Sequence, residues 1–308
     1  MRKQKFSEVS SLWLSYKRHY VKESSYSMYA MVLEKHLLPA FADSCEVKEQ
    51  AVQEFVIVSL SEGLSQSTVR SILVVLKMII RFGKHLGCDW DSDWKIVFPT
   101  VRQKEELAVL SLSNQRLIMR YLSDNVSYRN AGIYISLSCG LRIGEVCGLT
   151  WENINLREGI ISVRQTIERV YQLDSNEKRR TKLLASTPKT HNSIRDIPMS
   201  DDLIRMLEKL KKRMKSNYYL LSGTDKPIEP RSYSNYYNSL MRSLRVPKMK
   251  YHGLRHSFAT RCIESECDYK TVSVLLGHSN IGTTMNLYVH PNMEQKKRCI
   301  DKLVQFLS

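Results

Sequence analysis

The chain is predicted to be mainly α: an all-helical N-terminal domain, then a larger helical domain carrying a small antiparallel β-sheet. Three observations predict this. Up to about residue 97 the apolar residues recur at the three-to-four spacing of amphipathic helices, with no alternating run. That periodicity is lost around Pro99. Beyond it helical spacing returns, interrupted between residues 160 and 198 by short runs rich in Val, Ile and Tyr, which suit a pleated surface. With 308 residues, each of two domains can bury a core of its own.

Ser7–Tyr20 places Val9, Leu12, Trp13 and Tyr16 at helical spacing. Ser24–Leu38 repeats the pattern and is expected to stop at Pro39, which lacks an N–H and clashes with the preceding turn. Val47–Leu60 follows and ends at Gly63. Ser65 or Ser67 then caps a long helix through Ile72, Leu73, Leu76, Ile79, Ile80 and Phe82 to Gly87. These helices make the first domain, residues 1–97, and residues 98–106 form the expected linker with basic Arg102 and Lys104. The second domain, 107–308, opens with a Ser-capped helix, Ser111–Ser123, and a nearly all-apolar, central helix, Tyr128–Cys139. Gly140 turns the chain into a short helix within Leu141–Leu149. Ile160–Val163 and Thr166–Leu173 are strands, Asp174–His191 a polar and basic loop, and Ser193–Pro198 a returning strand. Helices resume at Ser200 and end in a tail helix, 293–307, with Cys299, Ile300, Leu303, Val304 and Leu307 at helical spacing.

Lys and Arg number 47 against 31 Asp and Glu, a net charge of +16. A surplus of that size points to a polyanionic partner, since like charges repel across a compact fold unless something neutralises them. Anionic membrane is the competing partner. No run nears the ~18 apolar residues a spanning helix needs, and Met1–Lys5 leads into no apolar signal region, so nucleic acid is favoured. The seven cysteines form no C-x-x-C pair, which is the usage of reduced thiols in a cytoplasmic protein and offers no zinc spacing.

Four short motifs concentrate the chemistry: Gly140-Leu141-Arg142-Ile143-Gly144-Glu145, Tyr251-His252-Gly253-Leu254-Arg255-His256, Leu276-Gly277-His278 and Asn286-Leu287-Tyr288. A phosphodiester repels nucleophiles through its oxygens, so attack needs preorganised positive donors on the non-bridging oxygens. Arg142 and Arg255 suit this, because a guanidinium fork binds phosphate bidentately and keeps its charge. Glu145, three residues after Arg142, is placed to support it, and His252 and Arg255 share a helix face. A phenol with a pKa near ~10 must lose its proton during attack or sit beside cations, and Tyr288 is the candidate nucleophile. His252 and His278 are suited to take the phenol proton or to hydrogen-bond the phosphate, with His256 and His290 as supporting neighbours.

In this order, from Gly140 to His290, the motifs resemble the tyrosine recombinases, the phage integrase family of site-specific DNA strand-exchange enzymes. The resemblance implies an all-α, SAM-like core-binding domain followed by a tyrosine-recombinase catalytic domain, the two clamping duplex DNA. It implies a 3′-phosphotyrosine at Tyr288, a free 5′-hydroxyl and a Holliday junction, with no metal, ATP or other cofactor. Lys189, in Pro188-Lys189-Thr190, matches the family's general-acid lysine on a β-hairpin, with Lys182 as the alternative. The catalytic set is then Arg142, Lys189, His252, Arg255, His278 and Tyr288, and none of these positions is substituted.

The implied partners are double-stranded DNA with inverted-repeat core sites, a homotetramer on that DNA formed from a free monomer or weak oligomer, and accessory factors. No membrane is involved. Candidates for DNA contact are Lys77, Arg81, Lys84, Arg102, Lys104, Arg179, Arg180 and Lys182, and the basic run Arg205–Lys215, which equally suits a solvated helix face. The tail helix packs either on its own domain or on a neighbouring subunit. Helical pattern already starts near Ser7, which leads us to expect no separate arm-binding domain and an integrase, invertase or resolvase of a simple kind. The expected setting is the cytoplasm, with the protein encoded by a bacterium, phage or mobile element. Two rivals remain: a type IB topoisomerase-like relaxing enzyme, and a non-catalytic DNA-binding regulator on the same fold.

Overall fold

A computed structural model describes residues 4–91, 93–99, 108–172, 181–188, 191–212, 214–288 and 293–307. It contains two compact units, Met1–Lys104 with Arg169–Leu184, and Glu105–Glu168 with Ala185–Ser308. Residues 169–184 therefore join the first unit, although in the chain they lie inside the segment assigned to the second domain.

The first unit contains α1 (Phe6–Lys17), α2 (Glu23–Val32), α3 (Leu38–Phe41), α4 (Glu49–Ser61) and α5 (Gln66–His85). They pack around Phe6, Val9, Trp13, Leu37, Val56, Ile72, Leu76 and Ile79. Leu12 and Tyr16, expected on the inner stripe, are exposed, and Phe6 takes the inward place. Pro39 does not stop the second helix. A π turn, Leu33–Leu37, follows α2 directly, and α3 continues with Pro39 in its first turn. Widening the helix there lets the Leu38 N–H reach back to the Leu33 carbonyl, and the missing proline donor falls where a helix start needs none. Ser65, rather than Ser67, caps α5, its hydroxyl accepting from the Thr68 N–H at 3.1 Å.

The irregular stretch after α5 is strapped to this unit by side chains. Trp90 and Trp94 enter the core, Gln53 pairs with both backbone groups of Val97 (2.9 and 3.0 Å), and Gln66 donates to the Pro99 carbonyl at 2.6 Å. Phe98 stacks under Arg70, 3.9 Å from ring centroid to guanidinium carbon. Two residues of the expected linker, Phe98 and Pro99, are thus held by the helical unit; the rest of it, with Arg102 and Lys104, lies outside the described residues.

In the second unit α6 (Leu112–Asp124) and α7 (Tyr128–Cys139) carry Ser caps at Ser111 and Ser127. α7 is buried over most of its length and packs against α6, against α8 (Ile143–Gly148) and against two later helices, α9 (Asp201–Lys211) and α11 (His252–Glu264). β1 (Ile154–Asn155), β2 (Ile160–Val163) and β5 (Arg195–Pro198) form an antiparallel sheet in the order β1-β2-β5. Ile161 faces both Ile154 and Ile197 across the ladders, and all three are buried. The remaining helices are α10 (Pro230–Ser243), α12 (Tyr269–Leu276), α13 (Ile281–Tyr288) and α14 (Met293–Leu307).

The region read as a polar loop differs. Thr181–Ser186 is a strand, β4, paired with β3 (Thr166–Tyr171) in a sheet of its own. Its side chains are exposed or half-buried along the whole strand, so no apolar alternation marks it. The outer part of the hairpin is instead held by polar contacts within the first unit. The Tyr171 backbone N–H donates to Ser27, its hydroxyl to Glu34 at 2.6 Å, and Lys182 pairs with Glu23 at 2.5 Å. Arg179 and Arg180 lie outside the described residues.

α14 leaves its apolar stripe uncovered: Ile300, Leu303, Val304 and Leu307 are all more than half exposed. Among the described residues it is tied to Glu266 by ion pairs from Arg298 and Lys302, at 3.0 and 2.7 Å. The side chain of Cys299 lies outside the described residues.

Because Ser65 alone closes the first turn of α5, Ser65→Ala will lower stability by about 1 kcal/mol in denaturant unfolding, while Ser67→Ala will change it by less than about 0.5 kcal/mol.

Candidate active site

The site is assembled from helix ends. α7 closes on Gly140 in the left-handed region (φ 69°), where a Cβ would stand 2.5 Å from the Phe258 ring. Two residues on, Arg142 takes the N-cap position of α8, so that its side chain leaves the helix axis. Glu145, in the first turn of α8, folds back on it: one carboxylate oxygen accepts from the Arg142 backbone N–H at 2.9 Å, the other from its guanidinium at 2.7 Å. Glu145 thus grips Arg142 at backbone and side chain, and the contact has a second half that the sequence reading missed.

That second half is Arg195 on β5. Its two terminal nitrogens donate to both Glu145 oxygens at 3.1 and 2.9 Å, and its Nε donates to the Leu275 carbonyl at 2.7 Å. Glu145 and Arg195 are both buried. Burial by itself would raise the Glu145 pKa, but hydrogen bonds and charge from Arg195, with the charge of Arg142, outweigh it and hold the carboxyl below its ordinary range. Strand parity carried the signal for Arg195. With Ile197 facing inward, the residue two before it faces inward as well, while Ile194 and Asp196 face out.

α12 also ends on a left-handed glycine, Gly277 (φ 66°), whose Cβ would meet the Asn192 carbonyl at 2.8 Å. Arg255, on the first turn of α11, is only 2 % exposed and joins the two ends. It donates to the Gly140 carbonyl at 2.9 Å and to the Leu276 carbonyl at 2.6 Å. A cation is favoured there, because the free carbonyls of both helix termini carry partial negative charge.

His278, just past Gly277, is hydrogen-bonded through Nδ1 to the Thr284 hydroxyl at 2.8 Å. Thr284 is fully buried on α13, and one turn later α13 closes at Tyr288. Partial burial, then the charges of Arg255, Arg142 and Arg195, push the His278 pKa down to about 4. His252 opens α11, exposed to solvent, and stacks edge-on against His256 with ring centroids 4.6 Å apart. Loss of water around its ring and the charges of Arg255 and Arg142 lower its pKa, and burial with the neighbouring His252 and Arg255 takes His256 down to about 4. The start of α11 is fixed from below by Tyr251, whose hydroxyl bonds Ser136 on α7 at 2.8 Å.

A cleft of about 410 Å³ opens between these ends, lined by Arg142, Glu145, Thr166, Pro188, Ser193 and His278. Arg142, Glu145 and His278 thus share the cleft; Arg255 is buried behind it, and His252 is close enough for the charges of Arg255 and Arg142 to act on it. Lys189 lies outside the described residues, next in the chain to Pro188 on the cleft wall. The side chain of Tyr288 and the whole of His290 also lie outside them. Lys182, the alternative to Lys189, is engaged with Glu23 of the first unit. Of the DNA-contact candidates, Arg81 and Lys84 are exposed on α5 and Lys77 is half-buried there, while Arg205 pairs with Asp202. Three guanidinium charges stand against one carboxylate, with the histidines neutral near pH 7. Such a site attracts an anion.

The phage integrase family model matches residues 108–295, and the model for the phage integrase N-terminal SAM-like domain matches residues 5–53. The chain belongs to the phage integrase family. Among its curated relatives, a protein named tyrosine recombinase XerC-like from Caldanaerobacter subterraneus subsp. tengcongensis is 28% identical over 277 residues, covering 83% of this chain and 71% of the relative. The ICEBs1 integrase of Bacillus subtilis is 23% identical, covering 98% and 83%. Among solved structures, the Tn1549 transposon integrase in complex with transposon right end DNA shares the fold with a TM-score of 0.76 at 20% identity, over 98% of this chain and 100% of that one. A lambda integrase tetramer bound to a Holliday junction matches with a TM-score of 0.65 at 14% identity, over 94% and 80%. This integrase family member is a tyrosine-type site-specific recombinase, an enzyme with a SAM-like helical domain ahead of its catalytic domain.

The depressed histidines fix the sign of a pH effect. Between about pH 6.5 and about 4 the unfolded chain takes up protons that folded His256 and His278 do not, so folding stability will fall as pH is lowered through that window. Thermal unfolding of the DNA-free protein across that range will show it, and His256→Gln will flatten the slope.

Proposed function

We propose that this recombinase cleaves one DNA strand by attack of the Tyr288 hydroxyl oxygen on the scissile phosphorus. The new oxygen–phosphorus bond makes a 3′-phosphotyrosine, the bond from phosphorus to the 5′-oxygen breaks, and rejoining reverses the step with a different 5′-hydroxyl. The observation that carries this reading is a cleft lined by Arg142 and His278, with Arg255 buried on the Gly140 and Leu276 carbonyls next to both, beside the helix that ends at Tyr288.

Arg142 and Arg255 stabilise charge on the non-bridging oxygens as the phosphorus becomes five-coordinate. His278 and His252, neutral in the DNA-free site, take up the phenol proton or hydrogen-bond the phosphate. An arriving phosphodiester brings negative charge that offsets the arginines and raises the pKa of both histidines, so the base strengthens when substrate is present. Lys189 gives a proton to the leaving 5′-oxygen. The place of Pro188 on the cleft wall supports that assignment, and the ion pair of Lys182 with Glu23 argues against its rival.

DNA is held mainly through phosphates, by Lys77, Arg81 and Lys84 on α5 together with Arg102, Lys104, Arg179 and Arg180. The +16 charge supports this, and affinity falls with added salt. Four copies act on two inverted-repeat sites through a Holliday junction, as the lambda integrase tetramer is seen to occupy. The exposed stripe of α14 supports docking on a neighbouring copy. The working place is the bacterial cytoplasm; no described helix is long and apolar enough to cross a membrane.

Nicked suicide DNA carrying the element's own repeats will trap a protease-sensitive protein–DNA adduct on a denaturing gel, and Tyr288→Phe will abolish it while leaving salt-sensitive binding in place. Tight binding with no adduct from the wild-type protein would instead point to a DNA-binding regulator. Relaxation of a supercoiled plasmid without a partner site would point to a topoisomerase.

A further inference from the structure

We infer that Arg195 is a positioning residue of the cleavage reaction, the strut that keeps Arg142, Arg255 and His278 in register across three separate elements. The inference rests on the recombinase reading above and extends it to a residue outside the cleft lining.

The side chain runs from β5 to two ends of the site at once. Its terminal nitrogens clamp both oxygens of Glu145, which in turn holds the backbone and guanidinium of Arg142. Its Nε donates to the Leu275 carbonyl, one residue before the carbonyl that receives Arg255 and three before His278. A further contact, to the Ser193 carbonyl at 3.0 Å, closes the turn into β5. Glu145 thus accepts four hydrogen bonds on two oxygens, so its carboxylate plane is set by Arg195 and handed on to Arg142.

A purely structural role would ask less of this position. Replacing a whole buried ion pair with apolar packing is often neutral for stability, so stability alone gives weak reason to keep the pair. Removing Arg195 alone leaves the buried Glu145 short of a counter-charge and is destabilising, which is why stability is measured beside cleavage. What an apolar side chain cannot do is hold a carboxylate bidentately and a backbone carbonyl sideways in the same plane. Lysine cannot do it either, since its ammonium is a point charge without the planar fork. Misplacing a reacting group by about 1 Å can cost about 10²-fold in rate.

The test measures single-turnover cleavage of the nicked suicide substrate, DNA affinity and thermal stability for wild type, Arg195→Lys and Arg195→Met. Arg164→Gln serves as the control, since it removes an exposed arginine just after β2 that bonds the Arg195 backbone carbonyl and the Asp196 carboxylate, while leaving the Arg195 guanidinium and its bonds to Glu145 and Leu275 in place. The expected result is cleavage slowed on the order of 10²-fold in both Arg195 variants, with the DNA dissociation constant changed less than about 3-fold and Arg164→Gln cleaving like wild type. The His278 ring, followed by NMR through a pH titration of the DNA-free protein, will titrate at higher pH in Arg195→Met, because one of the cations holding it neutral is gone. Cleavage within about 3-fold of wild type in both variants, or a loss that only tracks the unfolded or unbound fraction, would overturn the inference while leaving the recombinase reading intact. Absence of any Tyr288-dependent adduct from the wild-type protein would instead remove the reading on which it rests.

Discussion

The site depends on one buried carboxylate. Glu145 lies under two arginines, in a place where an unpaired negative charge would be costly to keep. Arg195 satisfies it from the sheet side and Arg142 from the cleft side. Because it neutralises one charge of the pair, the cleft keeps a positive excess without two guanidinium groups confronting each other unscreened. The same ion cluster joins α8, β5 and the end of α12, so electrostatics and tertiary packing are set by the same few bonds.

Arg255 works by a different rule. Its charge is buried and sits on the carbonyls that end α7 and α12. Both helices finish on left-handed glycines, which turn those carbonyls toward a common point and send the chain on to Arg142 and to His278. The glycines of the two motifs are therefore as much a part of the site as the charged residues that follow them. A side chain at either would collide with Phe258 or with the Asn192 backbone.

Much of this was legible from the residues. The boundaries of α7, the cap at Ser111 and the strand at Ile160–Val163 follow directly from apolar spacing and cap chemistry, because those segments bury one well-defined face. The grouping of Arg142, His252, Arg255 and His278 came from motif order and resemblance, not from periodicity. What escaped had no periodic signal to give. β4 is held by hydrogen bonds and by Lys182–Glu23 rather than by a buried face, and the helix around Pro39 survives because a π turn changes its hydrogen-bond register. Arg195 escaped for another reason: a charged residue at an inward strand position is ordinarily read as outward, and only the parity of Ile197 says otherwise. The Tyr288 side chain and Lys189 lie outside the described residues; the first rests on the motif, the second on the motif together with the place of Pro188 and the pairing of Lys182 with Glu23.

The hairpin end at Arg169–Leu184 makes the helical unit discontinuous along the chain. Ser27 and Glu34 find Tyr171 at sequence separations of 144 and 137 residues, so these contacts belong to the slow, non-local part of folding. During synthesis the first hundred residues leave the ribosome long before their hairpin partners exist. A fragment ending at Lys104 would leave Glu23 without Lys182 and Glu34 without the Tyr171 hydroxyl. The N-terminal unit is therefore complete only after most of the catalytic unit's sheet has been translated, which ties the maturation of one half of the enzyme to the other.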